Sequence, residues 1–131
     1  MAFPLGAALA AFLVAAPAQA ADQHAAGAQV QSVPVIAPAA LKAMMAGGQR
    51  FLLVDVREPG EFSTGHIEGA KLVPLGSLEA EYAQFPKDVT IVVYCRSGHR
   101  SAQAVAFLKA HGYGRAVSLD GGFLAWSAQP R

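Results

Sequence analysis

The 131-residue sequence contains one cysteine, Cys95. No internal disulfide can form, and a metal site built from clustered cysteines is excluded. Charge is also scarce. Charged residues make up 15% of the chain, and the formal net charge is +1. The basic residues are spread along the chain, so no basic tract argues for nucleic acid or an anionic lipid surface. Leu5 to Ala16 is an apolar run, but it is too short to span a bilayer. No internal repeat and no second domain is visible.

That apolar run has a different use. It leads into Pro17-Ala18-Gln19-Ala20, where the small residues Ala18 and Ala20 form an A-x-A cleavage pattern. The sequence therefore predicts a secretory signal over residues 1–20, cut after Ala20, although its n-region has no Lys or Arg. A periplasmic or secreted location follows, with no membrane attachment after cleavage. A lone thiol in an exported protein is a candidate free, reactive group. Ala21 to Ser32 is small, polar and aperiodic, and is predicted to be a mobile leader. Residues 33–131 are left for one domain, long enough for a modest core.

Within that domain, apolar runs alternate with helical patterns. Val33 to Ile36 reads as a short strand, with Pro34 favouring an edge position. Ala37 to Ala46 reads as a helix, with Pro38 in its first turn, an apolar stripe of Leu41, Met44 and Met45, and a stop at Gly47-Gly48. Phe51 to Val56 and Thr90 to Tyr94 are nearly continuous apolar runs, the pattern of parallel strands covered on both faces. Arg57 to Gly65, with Pro59, Gly60 and Gly65, is predicted as a loop that can hold a helical turn. Lys71 to Val73 is a short strand closed by Pro74. Ser77 is a candidate N-cap for a helix from Leu78 to about Phe85. Ala102 to about His111 reads as a helix ending at Gly112. Ala116 to Leu119 is a last strand, and Asp120-Gly121-Gly122 turns the chain into a final helix bearing Phe123, Leu124 and Trp126, with Trp126 expected in the core. The expected fold is α/β, an open parallel sheet of about five short strands flanked by helices on both faces.

The chemistry concentrates in Cys95-Arg96-Ser97-Gly98-His99-Arg100-Ser101. The only cysteine lies where a strand stops and a helix begins. A tight turn there aims backbone N–H groups inward, and the helix N-terminus adds partial positive charge. Arg96 and Arg100 add two full charges. Such surroundings lower a cysteine pKa and favour the nucleophilic thiolate. A loop of N–H donors also favours an anion held against the sulfur. Two chemistries fit these residues: transfer of a sulfane sulfur through a persulfide, and phosphoryl or arsenate chemistry through a thiol-bound intermediate.

Four stretches together resemble the rhodanese (sulfurtransferase) family. They are the Cys95 loop, Val54-Asp55-Val56-Arg57-Glu58 with Glu61-Phe62, Gly65-His66-Ile67-Glu68-Gly69-Ala70, and Leu119-Asp120-Gly121-Gly122-Phe123-Leu124-Ala125-Trp126. With the export signal, the chain resembles the periplasmic thiosulfate sulfurtransferases of bacteria. The resemblance implies a rhodanese-like fold, with Cys95 as the persulfide-forming nucleophile. Backbone N–H groups from Arg96 through Ser97, Gly98, His99 and Arg100 to Ser101 then cradle the transferred sulfur. Arg96 and Arg100 attract and orient a thiosulfate-like anion, and Ser101 bonds the sulfur or caps the helix. Asp55 and Arg57 are expected as an ion pair fixing the rim, His66 as a group satisfying buried backbone, and Gly121 and Gly122 as a tight turn near the pocket. His99 is a candidate acid or substrate contact. No cofactor and no metal is implied. The partners implied are a small sulfur donor and a thiophilic acceptor, with a protein acceptor as an option.

Spacing separates the two chemistries. Tyrosine-phosphatase-like loops need five residues between Cys and Arg, whereas Arg100 follows Cys95 after four, and Ser101 occupies the phosphatase arginine position. Tyr94 stands where those phosphatases usually carry His. The expectation is therefore a thiosulfate:acceptor sulfurtransferase. A persulfide-carrier or interaction module with little turnover is the alternative, and a phosphatase-like or arsenate-reductase-like enzyme is less favoured.

Overall fold

The structure, a computed structural model, describes residues 33–130. The expected signal and leader lie outside the described residues. The two strongest apolar runs form β2 (Phe51–Asp55) and β4 (Thr90–Tyr94), which pair in parallel from Phe51↔Thr90 to Asp55↔Tyr94. Three shorter strands complete the sheet: β1 (Val35–Ile36), β3 (Lys71–Leu72) and β5 (Ala116–Leu119). The order is β1-β5-β4-β2-β3, and all pairings are parallel. As Pro34 suggested, β1 is an edge.

The period-2 alternation of strand side chains divides the core into two. Val54, Ile91, Val93, Cys95 and Ala116 share one cluster with Ala104, Val105 and Leu108 of α4 (His99–Ala110) and Leu78 of the short helix α3 (Leu78–Glu81). Leu53, Val92, Tyr94 and Leu119 form the other cluster with Leu41 of α1 (Pro38–Ala46). Met44 and Met45 of α1 pack there too, with Phe123 and Trp126 of α5 (Gly122–Ser127). Helices therefore cover both faces, as expected. Among the described residues no helix is long and apolar enough to cross a membrane.

Four local expectations need correction. The stretch from Arg57 to Gly65 holds a genuine helix, α2 (Pro59–Thr64). Pro59 presets its first turn, and the Glu61 carboxylate accepts the Glu58 N–H at 3.1 Å, so an orphan donor of the helix start is satisfied. Ser77 does not cap a helix. It ends a 3-10 turn (Leu75–Ser77) with its backbone already near helical, rather than in the extended conformation an N-cap needs. The helix beyond it is correspondingly short and passes into a second 3-10 turn (Tyr82–Gln84) before Pro86. Trp126 is only half-buried at the edge of the second cluster.

The arrangement fixes where a site can be. The chain leaves β2 toward β3 on one side and leaves β4 toward β5 on the other. The two loops diverge at the C-terminal ends of adjacent strands, the switch point where open parallel sheets open a crevice. Asp55 ends one strand, and Cys95 follows the other.

Candidate active site

Cys95 leaves the central strand 1% exposed. The chain then turns through Gly98, whose φ of +113° marks the start of α4 without any side-chain cap. A side chain at that φ would be strained, which is why the turn uses glycine. The helix begins at His99, three residues before the expected Ala102. His99, Arg100 and Ser101 thus form the first helical turn, and only Cys95 to Gly98 is loop.

This early start puts backbone donors on the sulfur. Gly98 N–H lies 3.1 Å from Cys95 Sγ and Ser101 N–H 3.4 Å. Ser101 Oγ is 3.5 Å from the sulfur. Ser101 therefore bonds the sulfur and does not cap the helix. Burial pushes the Cys95 thiol up, but the hydrogen bonds from the Ser101 hydroxyl and the amides of Ser101, Gly98 and Ser97 outweigh it and leave the pKa lowered.

A second helix holds the opposite side of the loop. Phe123 N–H donates to Cys95 O at 2.8 Å, and Leu124 N–H to Arg96 O at 3.0 Å. With the carbonyls tied to α5, the amides face the sulfur. The close approach depends on Gly122. A Cβ there would lie 2.5 Å from Arg96 O and 2.6 Å from Cys95 O, at a φ of +60°. Gly121, also at positive φ, makes the preceding turn.

The two arginines of the stretch differ. Arg96 is exposed. Arg100 is held in a bidentate fork by Glu61 of α2, with Nη1–Oε1 at 2.8 Å and Nη2–Oε2 at 3.0 Å. Hydrogen bonding from Arg100, with help from the Glu58 amide, lowers the Glu61 carboxyl to about 2. Of the two arginines expected to draw the anion, Arg96 is open to solvent and Arg100 is engaged by a carboxylate. Ser97 and His99 are exposed beside the loop. They border a groove of about 420 Å³, together with Gly98, Ser118, Gly121 and Val35.

The rim pair is present. Arg57 Nε donates to both Asp55 oxygens at 3.0 Å, Arg57 Nη2 to Asp55 Oδ2 at 2.7 Å, and the Arg57 amide to Oδ1 at 2.9 Å. A further bond from Nη2 reaches Gly65 O at 2.7 Å, and the guanidinium lies 4.5 Å from the Phe123 ring centroid. His66 departs from expectation. Its Nδ1 lies 2.9 Å from Phe62 O and its ring stacks on Phe62 at 3.7 Å, but it is solvent-exposed and satisfies no buried group. It borders a separate groove with Phe123 and Trp126. Among the described residues, no group of three or more His, Cys, Asp or Glu side chains is placed to hold a metal ion.

One contact was not anticipated. Ser118, 2% exposed on β5, puts its Oγ 2.8 Å from Ser101 Oγ. Its only sequence signal is a hydroxyl inside the otherwise apolar run Ala116 to Leu119.

The fold and the loop define a class: a small parallel α/β domain presenting one amide-solvated cysteine at its switch point. The chain belongs to the rhodanese-like domain family, whose model matches residues 37–129. It is 42% identical over 87 residues to a sulfurtransferase of Allochromatium vinosum, a match covering 66% of this chain and 81% of that protein. It is 39% identical over 104 residues to a probable adenylyltransferase/sulfurtransferase, MoeZ, of Mycobacterium tuberculosis. There the match covers 78% of this chain but only 26% of the relative's length. Among solved structures, the human single-domain sulfurtransferase TSTD1 superposes with a TM-score of 0.68 at 26% identity, covering 76% of this chain and all of that one. These relatives support sulfur transfer in general.

Proposed function

We propose that the protein is a sulfurtransferase that takes the sulfane sulfur of thiosulfate, or of a similar anionic donor, onto Cys95 as a persulfide. The observation that carries this is the buried Cys95 sulfur surrounded by the Gly98 and Ser101 amides and the Ser101 hydroxyl. The same donors suit a persulfide, whose terminal sulfur is also an anion of low charge density.

The reaction is a ping-pong exchange. The donor approaches the exposed Arg96 through its sulfonate end. The Cys95 thiolate attacks the outer sulfur, the bond from that sulfur to the sulfonate sulfur breaks, and the electron pair leaves with sulfite. Cys95 is left as a persulfide anion. An acceptor nucleophile, cyanide in an assay or a thiolate, then attacks the terminal sulfur and returns Cys95 as thiolate. Charge is conserved in both steps, and no external oxidant or reductant enters.

The position of the phosphatase arginine is held by Ser101, buried against the sulfur, which argues against a loop that wraps a tetrahedral oxyanion. An exported setting belongs to the proposal, and N-terminal sequencing of secreted material beginning at Ala21 tests it. The activity is tested by intact-mass spectrometry after thiosulfate treatment. Wild type gains one sulfur and Cys95→Ser gains none. If thiosulfate adds no sulfur but a protein persulfide does, the chain is a relay module and the thiosulfate assignment fails. If neither donor adds sulfur, while an aryl phosphate is hydrolysed in a Cys95-dependent manner, the phosphatase alternative replaces it.

A further inference from the structure

We propose that Ser118 is a positioning residue for Cys95: its buried hydroxyl donates to Ser101 Oγ and so commits the Ser101 proton to the sulfur. The inference rests on the reading of Cys95 as the nucleophile.

The placement follows from strand register. Ser118 pairs with Val93 of β4. Cys95 lies one pleat beyond Val93, on the same face of the sheet. The first turn of α4 covers that face and brings Ser101 between them, 3.5 Å from Cys95 Sγ and 2.8 Å from Ser118 Oγ. All three residues are at most 2% exposed, Ser118 only bordering the groove, so the contacts lie out of bulk water.

Each serine hydroxyl has one proton and two lone pairs. While Cys95 is a thiol, its S–H can donate to Ser101 Oγ, and Ser101 then donates to Ser118. Once Cys95 is a thiolate, the order must reverse. The Ser101 proton turns to the sulfur, and the line between the two hydroxyls is filled by the Ser118 proton. Hydrogen bonds arranged head to tail in a low-dielectric interior polarise and strengthen one another. Ser118 therefore favours the anionic sulfur, yet it acts only through Ser101. An apolar residue would suit this position in β5, where the register neighbours are Val35 and Val93.

The test is the pH dependence of iodoacetamide alkylation of the full chain. Cys95 is the only thiol, so the rate reads one site. Ser118→Ala is expected to raise the alkylation midpoint by roughly 0.3–0.5 pH, a two- to threefold fall in rate below the midpoint. Ser101→Ala raises it further, and the double variant matches Ser101→Ala alone. The ionisable groups on the surrounding elements are the same in every variant: Arg96, His99 and Arg100, Glu58 and Glu61 of the α2 region, the Asp55–Arg57 pair, and Asp120 after β5. Ser118→Thr and Ser118→Val are matched in shape and differ in the hydroxyl. Thr keeps the wild-type midpoint and Val reproduces the Ala value, whatever the change in volume does to stability. The proposal is overturned if Ser118→Ala leaves the midpoint in place, if it shifts the midpoint as much when Ser101 is absent, or if Thr and Val behave alike. Alkylation needs no thiosulfate, so failure of persulfide formation would remove the proposed function without deciding the role of Ser118.

Discussion

Two adjacent parallel strands lead into buried acidic side chains, and the surroundings of the two are opposite in kind. After β2, Asp55 is fully buried against Arg57, two residues along, with three side-chain bonds and one from the backbone. After β4, Cys95 is as deeply buried but, among the described residues, has no cationic side chain on its sulfur. Its partners are neutral: the Gly98 and Ser101 amides donate to the sulfur, and the Ser101 hydroxyl lies beside it. A full counter-charge locks the first anion into a rigid rim. Neutral dipoles around Cys95 would stabilise a thiolate while leaving it free to attack, as the proposed sulfur transfer requires. Only the dipole-solvated group is left unpaired by a counter-charge, as the proposed reaction requires of its nucleophile.

Breaking the paired side should cost the most stability. Asp55→Ala leaves the Arg57 guanidinium buried without its partner and is expected to destabilise the fold by about 3–5 kcal/mol. Chemical denaturation measures it. In the fraction that stays folded, Cys95 should keep its alkylation midpoint, because the pair does not touch the sulfur. A large midpoint shift without loss of stability would merge the two regions that the comparison separates.

Next in size is a change to the backbone behind the thiol. Gly122→Ala sets a Cβ within 2.6 Å of the Cys95 and Arg96 carbonyls at a φ of +60°. The positive φ alone costs roughly 1–2 kcal/mol, and backbone atoms must move to relieve the contact. We expect a stability loss of about 2–3 kcal/mol. We also expect loss of nearly all Cys95 reactivity, since the loop carbonyls can no longer bond Phe123 and Leu124. If Gly122→Ala left reactivity intact, the loop would not depend on α5 for its amide geometry.

The sequence carried the apolar runs, the alternation of strands with helices and the strand-end position of Cys95, because each rests on local periodicity. Pairings between distant residues were not legible. Glu61 and Arg100 are separated by 39 positions, and neither one's neighbours suggest the other. Ser118 looked like part of an apolar strand, since only register across β4 brings it under Ser101. The early start of α4 was missed because Gly98 reads as a loop residue until its positive φ makes it the point where the helix begins. Arg57 and Asp55 were expected as a pair through the family resemblance, and the structure pairs them. His66 was expected against buried backbone as a residue of the resembling motif, but the turn after α2 leaves it at the surface.

The smallest expected effect concerns the full charge that the Cys95 side holds at a distance. Arg100 sits on the first turn of α4, but Glu61 neutralises it. Glu61→Gln keeps the size and a carbonyl acceptor for the Glu58 amide while removing the counter-charge. The freed guanidinium should draw the thiolate and the donor anion. We expect a fall of about 0.3–0.5 in the alkylation midpoint and a two- to threefold lower KM for thiosulfate, both shrinking as salt rises. Both changes should vanish when Arg100 is also replaced by Gln. Acid gives the same loss without mutation. The Glu61 carboxyl is depressed in the folded state to about 2, so its contribution to stability is complete above its unfolded value of ~4.3 and disappears as pH falls from there through about 2. Because the pair is partly exposed, with both side chains 32% accessible, the loss should be modest. We expect ~0.5 kcal/mol, measured as the difference between wild type and Glu61→Gln in denaturation midpoints at neutral and acid pH. An unchanged KM in Glu61→Gln would mean that Arg100 is too far from the donor to matter even when free. Anion capture would then fall to Arg96 and the amides, drawing a sharper line between a charge-paired rim and a dipole-solvated thiolate.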